Sequence, residues 1–166
     1  MMISINMKNL IGAGIALCLS TSLFAQTPTA NGYYEKASET LSKIENLYSV
    51  PDGTHLLREN YPFDDKYSAS YLASGENQNK TNPYSYLWPF SGSLSAYVAL
   101  LEHGNAKDVK SHIDQVVLPG LENYYDTRQP SGYASYINSA APSDRFYDDN
   151  VWLGIDFTDL YLQTKE

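Results

Sequence analysis

From Asn31 onward, Tyr34, Ala37, Leu41, Ile44 and Tyr48 recur at steps of three and four, with Glu35, Lys36, Glu39, Lys43 and Glu45 on the other faces. This spacing predicts an amphipathic helix of about four to five turns, ended by Pro51 with Gly53 beyond it. The stretch from Leu56 to Asn82 keeps no sustained period and contains Pro62 and Gly75, so it reads as a long irregular connection. A second helix is predicted from Ser91 to His103, where Leu94, Tyr97, Val98 and Leu101 share a face and Gly92, Ser93, Ser95, Ala96 and Ala99 keep the rest small. Small residues let helices approach closely, which places this one inside an assembly of helices. A third runs from Ala106 to Leu118, and Pro119-Gly120 is expected to break or kink it. Tyr125 to Ser143, marked by Pro130, Gly132 and Pro142, reads as another loop. A last helix begins near Asp149 and carries Val151, Trp152, Ile155, Leu160 and Leu162. No strand signal of similar quality appears, so the expected class is all-α. Its long aromatic and polar loops are expected to gather at one end of the helices, where a cleft can form.

The first residues change the picture of what folds. Lys8 precedes an apolar or small run from Leu10 to Ala25, followed by the polar Gln26-Thr27-Pro28-Thr29. That is the pattern of a secretory signal peptide, too short for a membrane anchor, with cleavage expected after Ala25. Residues 1–25 are then a leader and 26–166 the folded part, exported to the periplasm or cell surface with no membrane span. The single cysteine, Cys18, falls in the leader, so the mature chain has neither disulfides nor a cysteine-based zinc site. The 166-residue chain has 11 Lys and Arg against 19 Asp and Glu, a net charge of -8, which disfavours nucleic acid and anionic membranes as partners. His55, His103 and His112 lack metal-ligand spacing, and no metal site is expected. Asn79-Lys80-Thr81 fits a glycosylation acceptor, a pattern too short to weigh heavily.

Composition is distinctive in its 15 tyrosines, and the candidate chemistry sits among aromatics. The segment Arg145-Phe146-Tyr147-Asp148-Asp149-Asn150-Val151-Trp152 places two consecutive carboxylates at a predicted helix start. Helix capping explains most such pairs. The alternative is catalytic: carboxyl groups about 5 Å apart suit a retaining glycosidase, with one acid as nucleophile and the other as general acid/base. Two acids this close cannot both ionise freely, so their titrations are expected to split. Tyr147 and Trp152 offer flat faces to a sugar, and Arg145 and Asn150 offer hydrogen bonds to hydroxyls. A second cluster, Tyr84-Ser85-Tyr86-Leu87-Trp88-Pro89-Phe90-Ser91-Gly92, is either a sugar platform built on Tyr86, Trp88 and Phe90 or simply the packing of the helix that follows.

Three segments together carry a resemblance to a known family. They are Tyr86-Leu87-Trp88-Pro89-Phe90-Ser91-Gly92; Val117-Leu118-Pro119-Gly120-Leu121-Glu122 with Tyr125-Asp126-Thr127-Arg128; and Ser143-Asp144-Arg145-Phe146-Tyr147-Asp148-Asp149-Asn150-Val151-Trp152-Leu153-Gly154. In these the chain resembles glycoside hydrolase family 76 over most of residues 31–166. The resemblance implies an (α/α)6 barrel and an endo-acting α-1,6-mannanase, or a close relative acting on α-mannan backbones, with retention of configuration and no cofactor. The family's Asp-Asp-x-x-Trp motif maps onto Asp148 as nucleophile, Asp149 as acid/base and Trp152 as the aromatic that follows. Tyr86, Trp88, Phe90, Arg145, Tyr147 and Asn150 are assigned to substrate binding by their neighbourhood alone. A barrel of six hairpins has about twelve helices, roughly 300 residues or more. Four are predicted here, so the expectation is the N-terminal part of a larger catalytic domain. Two other readings compete: a secreted glycan-binding module without catalysis, and a different (α/α) enzyme that acts on or transfers another glycan.

Overall fold

The computed structural model describes residues 30–68, 81–103, 105–140 and 142–166. The leader expected at 1–25 and the acceptor expected at Asn79 lie outside the described residues.

Helix α1 (Ala30–Tyr48) follows the predicted apolar stripe, with Leu41 buried and Tyr34 packed against the core. Helix α2 (Leu87–Leu101) begins a turn earlier than the sequence predicts. Pro89 lies inside that extra turn, where backbone N–H groups have no partner within the helix and a proline is therefore tolerated. Starting at Leu87 also brings Leu87, Phe90, Leu94, Tyr97, Val98 and Leu101 onto the buried side.

The expected break at Pro119-Gly120 does not occur. Helix α3 (Ala106–His112) passes through a π-helical turn (Ile113–Val117) directly into α4 (Leu118–Glu122). The wide turn carries the Leu118 N–H to the Ile113 carbonyl just before Pro119, and the widened ladder lets the helix continue past the proline. Gly120 then allows a close approach: a Cβ at this position would stand 2.6 Å from both the His55 carbonyl oxygen and the Phe90 ring.

The loop after α4 holds a small antiparallel ribbon, β1 (Tyr125–Asp126) and β2 (Gly132–Tyr133), where no strand was expected. Two residues per strand are too few to leave an alternating pattern. Helix α5 (Tyr147–Thr164) starts slightly before the predicted point, and its buried stripe is Asp149, Leu153, Asp156 and Leu160.

Helix directions decide where the loops go. Ser95 contacts Asp156, and further along Gln163 donates to the Val98 carbonyl, so α2 and α5 run parallel. His112 packs on Tyr97 while Gly120 meets Phe90, so the α3–α4 run is antiparallel to α2. Near its start α1 shares a groove with Leu100 and His103, and near its end a hollow with Phe90 and Ser93, so it too opposes α2. The result is two helical hairpins side by side, with the long α1–α2 and α4–α5 loops at the same end. Those loops are knit together: the Tyr124 hydroxyl donates to the Ser85 carbonyl at 2.7 Å, and the Leu87 N–H donates to the Ser135 carbonyl at 2.9 Å. The second of these bonds uses loop backbone to satisfy an open donor at the start of α2.

Candidate active site

Because α2 and α5 are parallel, their N-termini meet the same loop-rich end. Asp148 and Asp149 occupy the first turn of α5, and Trp88 the first turn of α2. Neither carboxylate caps its helix, since the N-cap residue is Phe146 and no side chain bonds there. Capping therefore does not account for the pair, although the helix dipole still favours negative charge in this turn.

The two carboxylates have different surroundings. Asp148 is exposed, while Asp149 is 6% exposed and turned toward α2. Burial, and secondarily the charge of Asp148, hold the Asp149 carboxyl above the usual carboxylate range. Trp152, half exposed, lies one turn below Asp148 on the same helix, and Tyr147 is almost wholly exposed beside it.

The remaining expected binding residues divide. Trp88 is 64% exposed and free to offer its ring. Phe90 is 2% exposed and stacks on Tyr124 at 5.3 Å, so it packs the helix start and presents no face to a ligand. Tyr86 is also buried, against Tyr136, with its hydroxyl accepting a hydrogen bond from Asn82. The sugar platform expected from this cluster thus reduces to Trp88, because in a helix that starts at Leu87 the core face takes Phe90 and leaves Trp88 outside.

Arg145 and Asn150 are near the pair but already engaged. The Asn150 carboxamide accepts from the Tyr133 N–H at 2.8 Å and donates to the Tyr133 and Phe146 carbonyls at 2.9 Å each. Arg145 donates to the carbonyls of Arg128 and Pro130 and lies 3.8 Å from the Asp126 carboxylate. Their expected bonds to sugar hydroxyls give way to bonds that hold the neighbouring loop.

Two further buried acids, Asp126 and Asp156, lie outside the site residues expected from the sequence. Asp126 is held below the usual carboxylate range by hydrogen bonds from the Arg128 side chain and backbone. Asp156 accepts from the Ser95 hydroxyl at 2.7 Å, and burial pushes its carboxyl up. Its place on one stripe with Leu153 and Leu160 was the available signal. For Asp126 the available signal was Arg128 two residues on, whose backbone and side chain both bond its carboxylate. Among the described residues, no group of three or more His, Cys, Asp or Glu is placed to hold a metal ion.

The helical arrangement has counterparts among solved structures. A family 76 glycoside hydrolase (mannosidase) from Bacteroides thetaiotaomicron superposes with a TM-score of 0.60 at 28% identity, covering 80% of this chain and 33% of that one. The chain carries part of the family 76 fold. A second family 76 glycoside hydrolase, from a bovine Bacteroides thetaiotaomicron strain, gives a TM-score of 0.59 at 23% identity, covering 80% of this chain and 26% of that one. No protein-family model matches the sequence, and no curated protein matches it. Family 76 enzymes are (α/α)6 barrels, and the two hairpins described above are a portion of such a barrel, with α2 and α5 as neighbouring parallel helices. The chain spans well under half the length of either relative.

Proposed function

We propose that the protein is a retaining glycoside hydrolase of the family 76 type, acting on α-1,6-linked mannan. The observation that carries this reading is the unequal pair at the loop end of two parallel helices: exposed Asp148 beside buried Asp149, whose carboxyl is raised. A carboxyl raised by burial is the better placed proton donor, and the exposed Asp148 is the one open to a ligand as nucleophile. In the first step the Asp148 carboxylate attacks the anomeric carbon as Asp149 gives its proton to the departing glycosidic oxygen. In the second, Asp149 takes a proton from water, and that water displaces Asp148, restoring both groups and the original configuration. Trp88, Tyr147 and Trp152 supply exposed aromatic faces for the mannose rings.

Asp148→Asn and Asp149→Asn are each expected to lower hydrolysis of α-1,6-mannan by about 100-fold or more, read as release of reducing ends. Wild-type rates in either variant would overturn the assignment. A non-catalytic glycan-binding module is the second reading, for which the exposed rings of Trp88, Tyr147 and Trp152 would serve without chemistry. Mannan binding without any release of reducing ends would select it, and a panel of other glycans separates the third reading from both. Export belongs to the same proposal: the N-terminal sequence of the secreted protein is expected to begin at Gln26, and retention of residues 1–25 would count against it.

A further inference from the structure

Arg145 and Asn150 bracket the carboxylate pair in sequence, and both reach the same piece of chain. Asn150 makes the contacts of a third strand: its Oδ1 takes the Tyr133 N–H and its Nδ2 returns a bond to the Tyr133 carbonyl. Both backbone groups of one strand residue are thereby satisfied by one side chain. The same Nδ2 also reaches the Phe146 carbonyl, one turn back on α5, which fixes the carboxamide against its own helix. Close approach here depends on Gly132, where a Cβ would stand 3.1 Å from Asn150 Oδ1.

From the other side Arg145 holds the Arg128 and Pro130 carbonyls in the turn between β1 and β2. Arg128 bonds both the Asp126 carboxylate and the Ser143 carbonyl, closing the base of the loop. The ribbon is therefore fastened to the start of α5 just before Asp148 and just after Asp149.

We propose that Asn150 is a positioning residue, which with Arg145 clamps the 125–133 ribbon against the first turn of α5 and makes it one fixed wall of the site. The proposal rests on the reading of Asp148 and Asp149 as the active pair. The wall sets which ligand shapes reach the pair from the ribbon side, and Asn150 acts through it without touching the ligand.

Amide hydrogen exchange on the intact protein tests the clamp without relying on activity. The Tyr133 amide bonds Asn150, whereas the adjacent Ala134 amide bonds the Tyr124 carbonyl at 2.8 Å and serves as the internal reference. In Asn150→Ala the Tyr133 amide is expected to exchange about 10-fold faster or more, with Ala134 unchanged. Asn150→Asp retains an acceptor for that amide and is expected to keep most of its protection. Equal acceleration at both amides, or none at Tyr133, overturns the clamp.

Positioning is separated from plain stabilisation by carboxyl-carbon NMR titration of Asp149. If the ribbon is a wall of the site, releasing it in Asn150→Ala changes the surroundings of the pair, and the Asp149 midpoint moves. An unchanged midpoint overturns the wall and leaves Asn150 a local brace. Mannan hydrolysis is a separate readout that bears on the glycosidase reading alone and leaves both of these results interpretable.

Discussion

Asp149 and Asp156 sit two turns apart on the α2-facing stripe of α5, yet only Asp156 has a hydroxyl partner in Ser95. Burial raises both carboxyls, so each binds its proton more tightly in the folded chain than in the unfolded one. The stabilisation this gives is fully present below the unfolded carboxylate value and is lost as pH rises through the raised folded value. Asp156→Asn removes the buried charge and keeps an acceptor for Ser95. It is expected to raise the thermal midpoint at pH 7 and to leave it nearly unchanged at about pH 3, below the ordinary Asp value. Thermal melts across pH check this, and a lower midpoint at pH 7 would contradict it. The same direction at Asp149 has a different use, because a carboxyl with a raised pKa is better matched to proton donation.

At the scale of elements, α2 carries two aromatics two residues apart with opposite fates. Phe90 fills the space against Tyr124 and the close approach of Gly120, while Trp88 points out at the loop end. Phe90→Ala is expected to cost about 3–5 kcal/mol of stability by leaving a cavity. Trp88→Ala is expected to change stability by about 0.5 kcal/mol or less and to weaken mannan binding. Urea unfolding together with a binding titration separates the two, and equal stability losses would mean that Trp88 also packs. This difference was not visible in the Trp-Pro-Phe sequence, because it depends on where the helix begins. The helix start depends in turn on the Ser135 carbonyl, supplied by a loop far along the chain. The π-helical turn was hidden for a related reason: Pro119 marks a broken donor pattern locally, and a widened turn restores continuity only when the core rewards it.

For the whole molecule, the described hairpins leave apolar surface uncovered. Val151, Ile155, Tyr161 and Leu162 are exposed along α5, and an open groove of about 800 Å³ lies between α1 and α2, walled by Tyr34, Leu41, Ile44, Ala96 and Leu100. Exposed apolar surface of this kind favours association. Size-exclusion chromatography with light scattering is expected to show self-association at tens of micromolar, reduced in Ile155→Glu combined with Leu162→Glu. A strictly monomeric wild type would refute it.

The sequence by itself determined the helices that carry a 3.6-residue stripe, the all-helical class, and the carboxylate pair among aromatics, since all of these rest on neighbours within a few residues. Only the tertiary structure decided which aromatics face the site, that Arg145 and Asn150 hold a ribbon, and that Asp126 and Asp156 are buried. They depend on packing that a local pattern does not record: α2 against α5 for Asp156, and the 125–133 ribbon against the start of α5 for Arg145 and Asn150. Periodicity records which side of a helix is apolar, but the identity of what it meets is fixed only when the helices are assembled.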